Sequence, residues 1–290
     1  MNVLFLRLHL VIFLFSFTGI IIKHVNAPVM TLIWLRMFIA ALSLFIFLQI
    51  KRISLKLPLN LFFFILLGGI CMTLNWLCFF YAIKISNVSI VLSTIPLGAL
   101  FTCFLEPIFF KKPFRLYQIV LALIMSICIL VIFYQVSENQ LIGLLFGLLA
   151  SFFSSLAGVV NTFTVRKSKK TQVISFYQML TGVFIISILF VFYVDFFWKL
   201  AEINLKDWIL LIILGSFFTA YIKVKVLSLM RKINPYTFQL NVNIEPVYGI
   251  LMAYLLFGES EKMSIKFYLC IFIMLLSIFF NQKLSKKAAI

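Results

Sequence analysis

Long apolar stretches separated by short polar connections dominate the hydrophobic pattern of the chain. A helix that crosses a bilayer needs about 20 mostly apolar residues, and ten stretches come close to this length or exceed it. The pattern predicts membrane-spanning helices at residues 4–22, 29–49, 59–82, 88–110, 114–134, 140–164, 173–195, 207–229, 236–257 and 265–282. The connections between them leave no room for a second, water-soluble domain.

The overall composition excludes an ordinary soluble fold. Of the 290 residues, 64% are hydrophobic and 11% are charged, and the mean hydropathy is +1.17. Soluble domains contain about 45–50% apolar and about 25% charged residues. Because only helices and closed barrels satisfy their backbone in lipid, we predict an all-α integral membrane protein.

The net charge of +17 arises mainly in the connections. Roughly 15 Lys and Arg residues fall on one side of the predicted membrane and about six on the other, and the richer side is normally cytoplasmic. This predicts a multi-pass protein of a bacterial-type plasma (inner) membrane with both termini in the cytoplasm. The distribution favours contact with anionic membrane lipids and argues against a nucleic-acid partner.

The second five predicted spans repeat features of the first five. Residues 15–21 (FSFTGII) resemble residues 154–160 (SSLAGVV), and Pro96 in the fourth span corresponds to Pro246 in the ninth. A five-span unit ends on the opposite side of the membrane, so its repeat must be inverted. We therefore predict ten transmembrane helices in two inverted five-helix repeats, at residues 1–135 and 136–290. The two prolines are expected to kink their helices, and matching interruptions point to the binding region of a carrier.

Ionisable residues inside the predicted spans are costly, by about 2.5–3.5 kcal/mol on insertion scales, and usually face protein or water. Arg36 lies in the second span, Lys223 in the eighth and Glu245 in the ninth. Lys223 and Glu245 have comparable depth on antiparallel neighbours, so they are a candidate ion pair. The pair could line a substrate path or be purely structural, and Arg36 could face a cavity or reach lipid head groups.

Amides and aromatic residues extend the list of candidates. Asn75 and Trp76 lie near the middle of the third span, and Asn241 precedes Glu245 by four residues, on the same helix face. An amide beside an aromatic ring suits a small organic ligand, although an interhelical hydrogen bond and an interfacial aromatic residue are equally consistent. The predicted substrate-binding residues are Asn75, Trp76, Asn241, Glu245 and Arg36.

Small residues recur every four positions in the sixth span, at Gly143, Gly147, Ser151 and Ser155. This spacing lets helices approach closely, so we interpret the stripe as a packing surface.

Catalytic and metal-binding patterns are missing from the sequence. The five cysteines lie in apolar runs without metal-ligand spacing, and only two histidines and eight acidic residues are present. We predict no catalytic residues, no metal and no cofactor. The alternatives to a transporter are a membrane-embedded enzyme, which would need a catalytic constellation, and a channel, which would need a selectivity filter.

A motif in the ninth span resembles a known family. Residues 241–249 (NVNIEPVYG) and 257–259 (FGE), with a weaker counterpart at 95–97 and 105–110, resemble the signature of the EamA-type branch of the drug/metabolite transporter superfamily. Arg36 with Ala40 and Ala41 resembles the family's second span. One departure is that Lys111 and Lys112 stand where the family carries a glutamate at the end of the fourth span.

The resemblance implies ten helices in two inverted repeats, a central cavity, and export or exchange of small metabolites. Together with the polar residues, it predicts a secondary transporter that moves a small polar organic metabolite by alternating access. An amino acid or a similar zwitterion is the first hypothesis for this small-molecule substrate. A homodimer is left open as the assembly.

Overall fold

In the computed structural model, the described part of the chain consists of helices joined by short connections, with no strand among the described residues. The structure describes residues 3–86, 88–111, 113–114, 117, 120–121, 123–124, 127–128, 131, 138–190, 203–242, 244–245, 248–249, 252, 254–255 and 264–287. The first half contains α1 (Val3–His24), α2 (Val29–Ile50), α3 (Leu59–Ile85), α4 (Val88–Ser93) and α5 (Leu97–Phe110). The second half contains α6 (Glu138–Lys167), α7 (Thr171–Phe190), α8 (Leu205–Ile213), a π-helical segment (Leu214–Tyr221), α9 (Ile222–Met230), α10 (Pro235–Val242) and α11 (Ile265–Lys287).

Among the described residues, six helical segments are long and apolar enough to cross a bilayer: Val29–Ile50, Leu59–Ile85, Ile90–Phe110, Gln140–Lys167, Thr171–Phe190 and Leu205–Met230. Two shorter apolar helices, Leu6–Gly19 and Ile265–Ser277, fall on the first and last predicted spans. Large apolar side chains such as Phe38, Phe45 and Phe184 are exposed, as expected of a surface that faces lipid. Much of the fifth predicted span and part of the ninth lie outside the described residues, so the number of ten stays a prediction.

The two halves pack against each other mainly through α3 and α6. The Asn75 side-chain amide of α3 donates a 2.8 Å hydrogen bond to the Ala150 carbonyl of α6. On its neighbouring face, α6 lies against the region where α4 ends and α5 begins. The Ser151 hydroxyl donates to the Thr94 carbonyl and the Ser155 hydroxyl to the Gly98 carbonyl, each at 2.7 Å.

These contacts explain the small-residue stripe and the nearby proline. The helix is interrupted between Ser93 and Leu97, and Pro96 lies in the interruption. Because proline cannot donate a backbone hydrogen bond, a regular helix would lose a bond here, and serine hydroxyls of α6 bind carbonyls on either side. A Cβ at Gly147 would come 2.8 Å from the Thr94 hydroxyl oxygen, so only glycine allows this approach. The interpretation of the stripe as a packing surface is confirmed.

Polar contacts also join the halves at both ends of the bundle. At one end, the Asn26 backbone amide donates to the Asp207 carboxylate at 3.3 Å. At the other, the Lys170 ammonium donates to the carbonyls of Ser54 and Lys56, at 3.1 and 2.9 Å. The region between the two ends holds the cavity described next.

Candidate functional site

A cavity of about 190 Å³ lies between the two halves. Its walls come from α1, α2, α3, α6, the π-helical segment, α9 and α10, together with Ile95 and Glu245. One water needs roughly 10–15 Å³ on this measure of volume, so the space accepts a small organic molecule. Most of the wall is apolar, with a few polar groups that converge on it, which is the usual composition of a ligand site.

Arg36 is the most constrained charged residue in this wall. Its side chain is only 3% exposed, and its Nε donates a 2.5 Å hydrogen bond to the Thr219 hydroxyl. The guanidinium carbon lies 4.1 Å from the ring centre of Trp76 and 5.2 Å from that of Phe80. These rings hold the cation by cation–π contact, so Arg36 is directed at the cavity and not at lipid head groups.

The guanidinium still has an unused donor. The Nη1 nitrogen of Arg36 is buried and has no hydrogen-bond partner among the residues that the structure describes. The same holds for the Thr18 hydroxyl in the same wall. An unpaired buried donor is costly, the more so when it is charged. Arg36 therefore offers a ready position for a carboxylate, which a guanidinium binds through two parallel hydrogen bonds.

The π-helical segment explains how Thr219 reaches Arg36. The Thr219 hydroxyl donates to the Leu214 carbonyl, five residues earlier, at 2.7 Å. This bond orients the hydroxyl so that a lone pair remains free to accept from Arg36. Single π-helical turns are rare and occur often at functional sites, and here the turn lies beside the cavity.

Lys223 and Glu245 lie in the wall of the same cavity. In the part of the chain that the structure describes, no nitrogen–oxygen distance of 4.0 Å or less joins them. The ion pair stays a prediction, and both charges are placed where a bound molecule could meet them. Lys225 differs, because it is exposed and its ammonium lies 5.1 Å from the Tyr221 ring centre.

The remaining predicted site residues divide into two groups. Asn75 and Trp76 line the cavity, although the Asn75 amide is partly committed to Ala150. Asn241 is buried, donates to the Thr237 carbonyl of its own helix at 2.7 Å, and is not part of the described wall. Pro96 precedes α5 one residue after the wall residue Ile95, and Pro246 lies outside the described residues.

The amide of Asn161, which is not among the residues predicted from the sequence, adds to the polar part of the site. Asn161 lines the cavity, and its Oδ1 accepts a 2.6 Å hydrogen bond from the Gln178 Nε2. The bond directs the Asn161 oxygen towards α7 and leaves its NH₂ group for the cavity. A usable signal was present in the sequence, because Ser154, Ala157, Gly158 and Asn161 follow the i, i+3, i+4, i+7 spacing of one helix face, and all four line the cavity.

A metal site is not formed by the described residues: no group of three His, Cys, Asp or Glu side chains among them could hold an ion. The site instead combines two cations, one carboxylate, amides and aromatic rings. Membrane-length helices around such a cavity define a multi-pass membrane protein.

Comparison with known proteins identifies its family. The model of the EamA-like transporter family matches residues 4–134 and 141–282. The chain therefore belongs to this family, within the drug/metabolite transporter superfamily, and contains two copies of its repeat. It is a membrane transporter of this type.

Solved structures support the same fold. Twenty-eight chains of solved structures match this one. One crystal structure aligns over 96% of both chains with a TM-score of 0.66 and 13% sequence identity. At this identity the likeness concerns the fold alone. Among curated proteins, no match is found.

Proposed function

We propose that the protein is a secondary carrier that moves a small polar organic metabolite, an amino acid or similar zwitterion, across the plasma membrane. Transport proceeds by alternating access, and the protein acts as an exporter or exchanger. The observation that carries the proposal is Arg36: its buried, unpartnered Nη1 lies in the wall of a cavity enclosed by both halves.

The chemistry of the wall supports a ligand that bears charges of both signs. The carboxylate of such a ligand would bind the Arg36 guanidinium, and its ammonium group would be attracted to the Glu245 carboxylate. Trp76 and Phe80 supply apolar surface beside the cation. A plain hydrocarbon would leave the donor of Arg36 unpaired, which buried polar groups rarely tolerate.

The polar contacts at the two ends of the bundle support alternating access. Asn26 and Asp207 join the halves at one end, and Lys170 joins them to Ser54 and Lys56 at the other. Among the described residues, these polar contacts are ones whose partners can exchange with water at modest cost. Opening one end while the other stays closed would expose the cavity to one side at a time, as rocking of two repeats requires. In this proposal both termini face the cytoplasm.

Counterflow in proteoliposomes tests the proposal. Vesicles with purified protein are preloaded with an unlabelled amino-acid mixture, and entry of a labelled amino acid is followed against empty vesicles. A carrier should show saturable entry that the internal amino acids accelerate. Entry that rises linearly with concentration and ignores the internal amino acids would indicate a channel, and no entry of any zwitterion would remove the proposed substrate class.

A further inference from the structure

The ionisable residues of the cavity wall do not balance in charge. Among the described residues that line it, three are ionisable: the cations Arg36 and Lys223 and the anion Glu245. From this excess we infer that the substrate is an acidic zwitterion, with two carboxylates and one ammonium group. The inference rests on the proposed function and narrows its substrate class.

The two cations line the same cavity. Thr219, which accepts the hydrogen bond of Arg36, precedes Lys223 by four residues across the junction of the π-helical segment and α9. Arg36 and Lys223 both line this cavity, where like charges disfavour each other unless an anion lies between or beside them.

Neither cation is neutralised by a described carboxylate of the protein. In the described part of the chain, no carboxylate lies within 4.0 Å of the Arg36 or Lys223 nitrogens. A charge that is removed from water without a partner is strongly unfavourable. The negatively charged groups of a bound ligand supply the missing counter-charges.

Matching the three charges one by one selects the ligand. A neutral zwitterion satisfies one cation with its carboxylate and Glu245 with its ammonium, and leaves the second cation unpaired. A molecule with two carboxylates and one ammonium pairs all three groups. Its second carboxylate would meet Lys223, so Lys223 becomes the residue that separates acidic from neutral amino acids.

The sharpest test compares ligands that differ only in this charge. Counterflow is measured for L-glutamate against L-glutamine and for L-aspartate against L-asparagine, pairs of nearly equal shape. We expect the acidic member to have a kcat/KM higher by about tenfold or more, because an unpaired buried charge costs more than the 1.4 kcal/mol that tenfold represents. Equal rates, or preference for the amides, would overturn the inference while the proposed carrier function stands.

Substitution of Lys223 adds a second, independent result. Lys223→Met should abolish the preference for the acidic member, by lowering glutamate transport much more than glutamine transport. Lys225→Met is the matched control, since Lys225 is two residues away and exposed, and it should retain the wild-type ratio. If the Lys223→Met protein does not elute as a monodisperse peak, Lys223→Gln is measured in its place. An unchanged ratio of glutamate to glutamine transport in a folded Lys223 variant would contradict the assignment of Lys223 to the second carboxylate. If neither variant folds, the same ratio measured on the wild-type protein still tests the inference.

An inorganic anion is the other source of negative charge that could neutralise the second cation. If chloride occupied the second cation during transport of neutral zwitterions, glutamine counterflow would depend on chloride and glutamate counterflow would not be preferred. Replacing chloride by gluconate on both sides of the vesicle distinguishes the cases. The inference expects glutamate counterflow to persist in gluconate, and loss of all amino-acid transport without chloride would overturn it.

Discussion

The Nε of Arg36 in α2 donates a 2.5 Å hydrogen bond to the hydroxyl of Thr219 in the π-helical segment. The two residues belong to different halves of the molecule, and the bond fixes a buried cation at the boundary between them. Thr219 is itself held by the Leu214 carbonyl. A charge that must recognise a ligand is thereby held in position before the ligand arrives, which reduces the entropy that binding has to overcome.

Removing the Thr219 hydroxyl should weaken transport without unfolding the protein. Thr219→Val keeps the branched shape and loses the bond to Arg36. Hydrogen bonds to charged groups contribute about 1.5–3 kcal/mol, so we expect kcat/KM for the transported amino acid to fall roughly tenfold or more. Counterflow kinetics measure the change.

A suitable control for this variant is Thr162→Val. Thr162 is equally buried, but its hydroxyl donates only to the Gly158 carbonyl of its own helix. It should transport like the wild type. Wild-type kinetics in Thr219→Val would show that this bond does not position Arg36 for binding.

Gly68 is expected to contribute to the packing of α3 against α6 and α7. A Cβ at this position would come 3.0 Å from the Asn161 Oδ1 and closer still to the Gln178 Nε2. Gly68→Ala should therefore destabilise the protein by about 1–3 kcal/mol, the usual cost of overpacking, and disturb the amide pair. Thermal unfolding in detergent, followed by the loss of monodisperse protein, measures the effect.

The matched variant for this measurement is Gly158→Ala. A Cβ at Gly158 meets nothing within 4 Å, so this variant should unfold at or above the wild-type temperature. Equal unfolding temperatures for the Gly68 and Gly158 variants would contradict the packing described around the amide pair.

A larger side chain at Gly158 should block the cavity. Gly158 lies in the wall, and the space beside it is open. Gly158→Leu is expected to abolish counterflow while its unfolding temperature stays near that of the wild type. Full transport by a correctly folded Leu variant would place the substrate path elsewhere.

The orientation in the membrane is open to direct labelling. Lys169 lies in the exposed connection between α6 and α7, and Lys206 is exposed near the start of α8, one membrane crossing later. In a variant without the five native cysteines, Lys206→Cys should react with an impermeant maleimide added to intact cells, and Lys169→Cys should react only after the cells are opened. The reverse pattern would place both termini outside the cytoplasm.

Hydrophobic length was enough to locate most elements. Predicted spans at 29–49, 59–82 and 207–229 correspond to helical segments Val29–Ile50, Leu59–Ile85 and Leu205–Met230. The stripe from Gly143 to Ser155 was interpreted correctly because small residues at four-residue spacing in membrane helices are typical of close helix packing. Length and spacing are local properties, and the bilayer imposes them on each helix separately.

Helix rotation and pairing could not be predicted in the same way. Asn241 looked equivalent to Glu245 by spacing, but Asn241 is buried and bonded to its own helix, whereas Glu245 lines the cavity. The π-helical segment likewise changes the direction in which the Thr219 side chain points. No periodic pattern in the sequence indicates this change. The side chains of Asn161 and Gln178 form a hydrogen bond between two helices. Two isolated amides on separate helices give no signal in the sequence for such a contact.

The most direct measurement is trans-stimulated uptake of labelled L-glutamate into proteoliposomes that contain the Arg36→Gln variant. This substitution removes the cation that the account assigns to the substrate carboxylate and keeps a polar side chain in the wall. Arg52→Gln, at an exposed connection, is the control. The account predicts that uptake by the Arg36 variant falls to the level of protein-free vesicles while the Arg52 variant transports like the wild type. Wild-type uptake by a folded, monodisperse Arg36→Gln protein would contradict the central claim that this cavity and this cation bind the substrate.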